Sequence, residues 1–462
     1  MKQVQLERYI EEIMEAQEAA GLAIAIVEAQ GDPLYQGFFG FRDREARLPV
    51  NEDTIFGIAS CTKSFTCLAL RQLEEKGLLD CDDLLSTHVP AFSGRHQPGL
   101  KLRHLMSHSG GFYPLPRIMV DEVAGDLGIS DESEGDLAYS EKLALEGTRR
   151  VAERLDAQIA GEGLIGPPGL YYSYCNDGYG LLSEVIRKVS GESYAAYLKE
   201  HILQPLGMER SGCDFVRPAR DGNAAILYRK KDGMMQGDRD YHDRAFVLNG
   251  GGAMKSTLRD MGRYLQMFLR GGRNDKGQAI LSEEGLGKML QPLVTDKPGS
   301  AYANGLGVRG WGDCRMYSHG GSLPGVSSHI LFSPDAGAGV VVLCTTSSVS
   351  VGLIAEAAFR AYLGREAVPA RETPLPVEWD ALTVESLPGI YRSGEGTVVE
   401  IRREGEGFCT EIDGKCRPLI PISRSCCLME GRFSDERIYL HRRAGRVFAI
   451  GYGSRMIPKS GD

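Results

Sequence analysis

FGIASCTKSF, residues 56–65, is the stretch that says most about the fold. It runs from β-rich residues into an apolar helical segment, and Ser60 stands at the transition. A serine in the first turn of a helix gains from the positive end of the helix dipole, and Lys63, one turn later, lies on the same face. Its amine can then reach the serine hydroxyl, and burial would favour the neutral amine, which acts as a base. So short a pattern also arises by chance, so its meaning depends on the rest of the chain.

A second segment, Tyr174-Cys175-Asn176, offers partners for this pair. A tyrosine near one or two ammonium groups becomes easier to ionise, and its phenolate can take a proton from serine and return it to a leaving group. The Asn176 amide can orient a substrate carbonyl. The alternative is a loop tyrosine packed in a turn.

A third segment is His319-Gly320-Gly321-Ser322, at the start of a β-rich region. The two glycines allow another chain or a ligand to approach the backbone closely. The N–H of Ser322, together with that of Ser60, could form an oxyanion hole, and His319 could carry or share a proton beside it. A glycine-rich turn with a surface histidine is the alternative.

Together and in this order, the three segments resemble the serine β-lactamase and penicillin-binding protein superfamily, in its class C-like branch. Matching segments are spread over roughly residues 5–365: FGIAS (56–60), HLMSHSGG (104–111), PG (168–169) through NDGY (176–179), and GGGAMKS (250–256). The resemblance implies an α+β fold, with an antiparallel sheet flanked by helices and an all-helical subdomain.

The resemblance also implies roles for single residues. Ser60 would be the acylated nucleophile, Lys63 its base partner, and Tyr174 the general base and acid. Asn176 would bind substrate, as would the strand residues Gly320, Gly321 and Ser322.

His319 departs from the lactamase pattern, which usually has lysine there. A lysine is a fixed cation for a substrate carboxylate, whereas histidine is neutral much of the time at pH 7, which argues against efficient β-lactam hydrolysis. His-x-Gly is similar to the pattern of D-aminopeptidases in this superfamily, some of which carry C-terminal lipocalin-like barrels.

The composition divides the chain in a way that fits such a barrel. The best linker is residues 368–376, which contain three prolines. We expect a β-lactamase-like domain over residues 1–367 and a small antiparallel β-barrel domain over residues 377–462. Six short strands are predicted in the barrel: 389–392, 397–402, 408–412, 426–430, 437–440 and 446–450.

Within the larger part, the patterns predict an N-terminal helix, helices over 179–199 and 254–269, and two hairpins. The hairpins join 22–29 to 34–41 and 330–333 to 339–344. Residues 114–150 form an acidic insertion, interpreted either as a solvated loop with one or two helices or as a lid over a pocket.

Two other pairs of residues are of a type that can bind metal or react chemically. His104 and His108 have a spacing that can bind zinc on a helix, but no third ligand stands in a suitable frame, and the resemblance makes them structural. Cys61 and Cys175 flank the proposed nucleophile and base, where they are either merely small residues or thiols that make the enzyme sensitive to oxidation or alkylation.

Overall composition excludes several classes of protein. The chain has 462 residues and a net charge of -9, which argues against nucleic acid or an anionic membrane surface as a partner. No apolar run is long enough to span a bilayer. Eleven cysteines without a CxxC pair, and an N-terminus without a signal-peptide core, favour the cytoplasm. No cofactor or metal is expected, and a homo-oligomer is possible.

The sequence therefore predicts a serine hydrolase that cleaves amide bonds of small peptides, including those with D-residues, through an acyl-enzyme at Ser60. An esterase or a weak β-lactamase is the alternative. A non-catalytic binding or scaffold protein on the same fold is the alternative from another class.

Overall fold

A nine-stranded antiparallel sheet forms the centre of the larger part of the molecule. The computed structural model describes residues 3–116, 120–128, 137–214, 216–241, 249–371, 374–412 and 415–460. Its strands are β1 (Gly21–Glu28), β2 (Tyr35–Asp43), β3 (Leu48–Pro49), β8 (Val294–Lys297), β9 (Ser300–Tyr302), β10 (Gly307–Trp311), β11 (Cys314–Leu323), β12 (Val326–Ser333) and β13 (Ala338–Cys344). They follow one another in the sheet in the order β3-β2-β1-β13-β12-β11-β10-β9-β8. Two short pairs lie outside this sheet: β4 (Phe56–Gly57) with β7 (Lys255–Ser256), and β5 (Leu227–Lys231) with β6 (Met234–Asp238).

Fourteen α-helices are found in the described residues. They are α1 (Gln3–Ala16), α2 (Thr62–Glu75), α3 (Leu85–His88), α4 (Leu102–Met106), α5 (Val120–Leu127), α6 (Leu137–Glu162), α7 (Asn176–Ser190), α8 (Tyr194–Leu198), α9 (Val216–Arg220), α10 (Asn249–Gly252), α11 (Leu258–Leu269), α12 (Glu283–Leu290), α13 (Val351–Tyr362) and α14 (Ala381–Ser386). None of the helices described is long and apolar enough to cross a bilayer.

The sheet is covered on both faces, which explains why its central strands are apolar throughout. In β1, Leu22, Ile24 and Ile26 belong to the core shared with α1 and α13. The alternate residues Ala23 and Ala25 belong to the core on the other side, which contains α2, α7 and α11. Because successive side chains point to opposite faces, a strand that is buried on both faces is apolar at every position. Both predicted hairpins are confirmed as β1–β2 and β12–β13.

One predicted helix is wrong in extent. Residues 179–199 do not form a single helix, because α7 ends at Gly191, which has a φ of +76°, and α8 starts after the Ser193 cap. A left-handed glycine is a common helix terminator, and the apolar pattern continued across it without showing the break. The predicted helix over 254–269 begins four residues later, where the Thr257 side chain accepts a hydrogen bond from the Asp260 N–H.

The acidic insertion lies partly outside the described residues, which omit 117–119 and 129–136. Its described parts are α5 and α6, which pack against each other, with Val123 and Leu143 in the main core. Arg150 on α6 forms an ion pair with Asp126 on α5.

The C-terminal part is an eight-stranded antiparallel meander whose first and last strands meet. Its strands are β14 (Gly389–Arg392), β15 (Val398–Glu404), β16 (Gly407–Ile412), β17 (Lys415–Ser423), β18 (Cys426–Met429), β19 (Glu436–Arg443), β20 (Arg446–Tyr452) and β21 (Arg455–Pro458). A bridge between Tyr391 and Lys459 brings the sheet close to closing as a barrel. The α+β expectation, including this small barrel-like sheet, is therefore confirmed.

Two strands of the meander were not predicted, and each has a physical reason. β17 contains Pro418 and Pro421, and proline normally argues against a strand. The structure accommodates Pro421 where the pairing with β18 shifts register. β21 is four residues long and follows a tight turn at Gly453 and Ser454, so its pattern is too short to be recognised.

Candidate active site

Ser60 lies on a tight 3-10 turn, Ala59–Cys61, that leads directly into α2. Ala59 has a φ of +45°, a left-handed conformation that costs a non-glycine residue energy. The turn is held from both sides: the Thr62 hydroxyl donates to the Ala59 carbonyl at 2.6 Å and accepts from the Met254 N–H at 3.1 Å. The hydroxyl of Ser60 is thus fixed at the wall of a cleft.

Lys63 is fully buried beneath Ser60. Its ammonium donates to three oxygens: Ser60 Oγ at 3.1 Å, Asn176 Oδ1 at 2.8 Å and the Gly251 carbonyl at 2.7 Å. Burial, helped by the positive charge of Arg455, lowers the pKa of Lys63 to about 7. A large share of this amine is therefore neutral at physiological pH.

Tyr174 lies on the other side of Ser60, between two cations. Its ring is 4.8 Å from Lys63 Nζ and 4.6 Å from Arg455 Cζ, measured to the ring centroid. Burial raises the pKa of Tyr174 above its ordinary value, although the hydrogen bond with Ser60 and the Arg455 charge oppose this effect. The expectation of an accessible phenolate is therefore wrong: loss of solvent outweighs the nearby cations, and Tyr174 is a phenol at pH 7.

Asn176 is the first residue of α7, and both ends of its side-chain amide are occupied. Its oxygen accepts from Lys63, and its nitrogen donates to Glu395 Oε1 at 3.3 Å. Asn176 also lines the cleft, so its predicted contact with substrate stays a prediction, and the structure adds a network that links Lys63 to the C-terminal sheet.

His319 and the residues after it lie on β11, next to the Ser60 turn. A Cβ on Gly321 would overlap the Ile58 carbonyl and the Ser328 hydroxyl, so only glycine permits this approach. Ser322 follows on the same strand and lines the cleft with Ser60. The third segment is thus brought to the first, as the sequence predicted.

His319 is neutral in this environment. Its Nδ1 donates to the Gly320 carbonyl at 2.6 Å, so Nε2 accepts from the Tyr302 hydroxyl at 2.9 Å. Burial and the charge of Lys63 lower the pKa of His319 to about 3. The position that carries a fixed cation in the lactamase pattern is therefore uncharged here.

His104 and His108 each accept a hydrogen bond from a backbone N–H. His104 Nδ1 accepts from the Lys101 N–H, and His108 Nδ1 accepts from the Cys175 N–H, each at 3.1 Å. His108 packs its ring 4.0 Å from that of Tyr174. Both histidines hold backbone in place, in agreement with the structural role expected of them.

Arg455 and Glu395 are the site residues that sequence reasoning missed. Arg455 Nε lies 2.7 Å from Glu395 Oε2, and both side chains are largely buried. Arg455 is the first residue of β21, directly after the turn from β20, and Glu395 lies in the turn between β14 and β15. Nothing in the local sequence distinguishes them from ordinary charged turn residues, because their significance lies in contacts with residues far away in the chain.

Backbone contacts fix these turns against the Tyr174 segment. The Tyr174 N–H donates to the Ser454 carbonyl at 2.9 Å, and the Met456 N–H donates to Ser173 Oγ at 3.2 Å. Gly394 approaches so closely that a Cβ there would overlap the Pro114 carbonyl. The C-terminal sheet therefore forms part of the wall of the site.

The resulting cleft has a volume of about 700 Å³. Its lining includes Ser60, Tyr174, Asn176, His319, Gly320, Gly321, Ser322 and Arg455. A smaller cavity of about 230 Å³ shares Tyr172 and Arg455 with it and extends along the C-terminal sheet. The geometry offers a hydroxyl next to a partly neutral amine and a phenol, inside a cleft large enough for a small peptide.

Comparison with known proteins gives the same picture for most of the chain. The family described as Beta-lactamase matches residues 6–363. Penicillin-binding protein 4* of Bacillus subtilis is 26% identical over 451 residues, covering 91% of this chain and 90% of that protein. Protein flp of Staphylococcus aureus is 24% identical over 367 residues, and this match spans 77% of the chain but only 65% of the length of flp.

Solved structures extend the likeness over the whole chain. An octameric penicillin-binding protein homologue from Pyrococcus abyssi is 26% identical, with a TM-score of 0.67 and coverage of 99% of this chain and 100% of that one. SurE is 21% identical, with a TM-score of 0.72 and coverage of 98% of both chains, and shows the fold alone. Family membership implies serine-hydrolase chemistry through an acyl-enzyme. With a family match over residues 6–363 and the same fold in its relatives, the chain belongs to the beta-lactamase family.

Proposed function

We propose that this protein is a serine hydrolase that forms an acyl-enzyme at Ser60 and cleaves amide bonds of small peptides, including peptides with D-residues. The observation that carries the proposal is the 3.1 Å contact between Lys63 Nζ and Ser60 Oγ, with an amine whose pKa is about 7. A neutral amine at this distance can accept the serine proton as the hydroxyl attacks.

Acylation begins with transfer of the Ser60 proton to Lys63 while Oγ attacks the substrate carbonyl. The N–H groups of Ser60 and Ser322 stabilise the oxyanion of the tetrahedral intermediate. Tyr174, a phenol at pH 7, donates its proton to the departing amine as the C–N bond breaks. The proton held by Lys63 then restores the phenol, which leaves Lys63 neutral and Ser60 acylated.

Deacylation repeats these steps with water as the nucleophile. Lys63 removes a proton from the water as it attacks the ester carbonyl, Tyr174 gives its proton to Ser60 Oγ as Ser60 leaves, and the proton held by Lys63 then restores the phenol. The acyl group departs as a carboxylic acid. Arg455, 4.6 Å from the Tyr174 ring centroid, stabilises any negative charge that develops on the phenol oxygen during transfer.

Peptides are preferred to β-lactams because the side chain at position 319 is uncharged. A neutral His319 provides no fixed cation for the carboxylate that β-lactam substrates carry. Esters undergo the same acylation, so an esterase or a weak β-lactamase is the alternative within this chemistry. A scaffold role is disfavoured because the nucleophile, the amine and the phenol are all in contact.

A fluorophosphonate probe tests the nucleophile directly. We expect labelling of the wild-type protein at Ser60, loss of labelling in Ser60→Ala, and retained labelling in Ser190→Ala, which removes a hydroxyl at the far end of α7. Labelling that survives Ser60→Ala would exclude the proposed chemistry. A panel of L- and D-aminoacyl anilides, dipeptides, esters and a chromogenic β-lactam then identifies the substrate class by kcat/KM.

Further proposals concern organisation, assembly and location. We propose that the domain boundary lies at residues 368–376, between the two sheets, with residues 1–367 and 377–462 as the two domains.

The octameric Pyrococcus homologue supports a homo-oligomer for this chain, which light scattering of the purified protein would test. All eleven cysteines are free thiols, which supports a reducing, cytoplasmic location.

A further inference from the structure

Two cysteines lie side by side on one face of the C-terminal sheet. In the register of β16 and β17, Cys409 is opposite Pro418 and Cys416 is opposite Glu411, so the cysteines are diagonal neighbours. Phe408 belongs to the core of this sheet, and alternation along the strand places Cys409 on the opposite, outer face.

A carboxylate from the next strand completes the group. The two sulfur atoms of Cys409 and Cys416 and a carboxylate oxygen of Glu404, on β15, all lie within 4.8 Å of one another. Cys409 is buried beneath the other two, whereas Cys416 and Glu404 are exposed, so the group is open to solvent on one side. Neither cysteine is in a disulfide.

The three donor atoms are close together: two thiolates beside the Glu404 carboxylate would place like charges within 4.8 Å of one another. Crowding of two thiols and a carboxylate disfavours a lone thiolate, but a divalent cation reverses this preference because it compensates the negative charge.

We propose that Cys409, Cys416 and Glu404 bind a zinc ion, or another borderline-soft divalent cation, on the outer face of the C-terminal sheet. Two thiolates and a carboxylate suit zinc, and water would take the fourth tetrahedral position. A Zn–S bond of about 2.3 Å places two sulfurs about 3.8 Å apart, so side-chain rotation alone can form the site. Two S–H bonds break, two Zn–S bonds form, and two protons pass to solvent.

The charges around the group are compatible with a cation. Arg402, which lies opposite Cys409, is held by two other carboxylates: its Nε is 2.6 Å from Glu400, and its NH2 nitrogen is 3.1 Å from Glu411. This guanidinium is therefore neutralised by its own partners. The spacing of Glu404, Cys409 and Cys416 matches no zinc motif in the sequence because the three ligands come from three strands.

The site is separate from the proposed catalytic chemistry. Its donors lie on β15, β16 and β17, whereas Arg455 and Glu395 reach the cleft from other turns of the sheet. Bound zinc would join three neighbouring strands. The free energy of unfolding would then increase with the logarithm of the zinc concentration once that concentration exceeds Kd.

Cadmium, a spectroscopic substitute for zinc, tests the proposal in the full-length reduced protein. We expect one equivalent of Cd²⁺ to produce the near-ultraviolet charge-transfer band of a cadmium thiolate. The double variant Cys409→Ser/Cys416→Ser should lose the band. Cys314→Ser, which removes another partly exposed thiol on β11, should keep it. Glu404→Gln should weaken binding by about tenfold or more.

Thermal unfolding provides a second measurement. Zn²⁺ should raise the Tm of the wild type and of Cys314→Ser but not that of the double variant. The proposal is overturned if the wild type gives no band while both thiols react freely with a thiol reagent, or if the double variant keeps the band. A Cys409–Cys416 disulfide that persists in strong reductant would also overturn it. The group Glu192, Glu200 and His201 has no thiolate, so an ion bound there gives no such band.

Discussion

At the scale of single residues, the site depends on which groups near Ser60 are neutral. Lys63 and Tyr174 are both buried, but burial acts on them in opposite directions, because it disfavours the ammonium of one and the phenolate of the other. Both therefore approach or retain their uncharged forms at pH 7. This assigns the role of base to Lys63 and that of acid to Tyr174 in the first proton transfers.

The pH dependence of kcat/KM should show this assignment. Activity should rise with pH through about 7, because the neutral form of Lys63 increases above its pKa. Arg455→Gln removes a positive charge that lowers the pKa of Lys63, so the rise should move to higher pH, by about one unit. Glu395→Gln removes a charge that raises this pKa, so the rise should move to lower pH. Shifts in the same direction for both variants would contradict the electrostatic explanation.

Thiol reagents should leave the site intact. Cys61 is fully buried with a pKa raised to about 12, and burial also raises the pKa of Cys175, so neither provides a thiolate at neutral pH. The expectation that these thiols confer sensitivity to alkylation is therefore not supported. Iodoacetamide at neutral pH should modify the exposed Cys416 first, as peptide mapping would show. Activity lost in parallel with alkylation of Cys61 would refute this.

At the scale of elements, the site is assembled where β11 meets the turn that leads into α2. Each element has one residue in an unusual position: Ala59 has a left-handed φ, and Gly321 lies too close to its neighbours for any side chain. The strain at Ala59 persists because surrounding contacts hold the residue in place. The two N–H groups proposed for the oxyanion hole are set by this contact between elements.

Gly321→Ala tests the contact, with Gly320→Ala as its matched control. A methyl at 321 would overlap the Ile58 carbonyl and push β11 away from Ser60, whereas one at 320 meets the His329 ring at 3.3 Å. We expect Gly321→Ala to lower kcat about a hundredfold, because misplacement by about 1 Å has effects of this size. Gly320→Ala should lower kcat much less. Circular dichroism would confirm that both variants fold, and equal activities would disprove the argument.

At the scale of the whole molecule, the two sheets share one site. The Tyr174 N–H donates to the Ser454 carbonyl, the Ser173 hydroxyl accepts from the Met456 N–H, and Arg455 and Glu395 adjust the charge around Lys63. Apolar contact adds to this, since Ile165 packs with Ala449 and Met456. The C-terminal sheet therefore contributes contacts and charges to the active site.

Deletion of residues 377–462 should lower both stability and activity. The deletion exposes Ile165 and removes the backbone partner of Tyr174. We therefore expect a lower Tm, and a larger fall in kcat/KM than the loss of the Arg455 and Glu395 charges alone would cause. The full-length double variant Arg455→Gln/Glu395→Gln separates the two causes, because it removes the charges and keeps the packing. Unchanged kinetics in the deletion would show that the C-terminal sheet has no part in the site.

Features that depend on short stretches of chain could be predicted from the sequence. The spacing of Ser60 and Lys63 across the start of α2, the apolar strands β1 and β13, and most strands of the C-terminal sheet follow from local patterns. The place of Arg455 and Glu395 in the site and the protonation of Tyr174 follow only from contacts in the folded chain. A pKa is set by the sum of burial and all nearby charges, and these come from residues that meet in space at separations along the chain that no local pattern records.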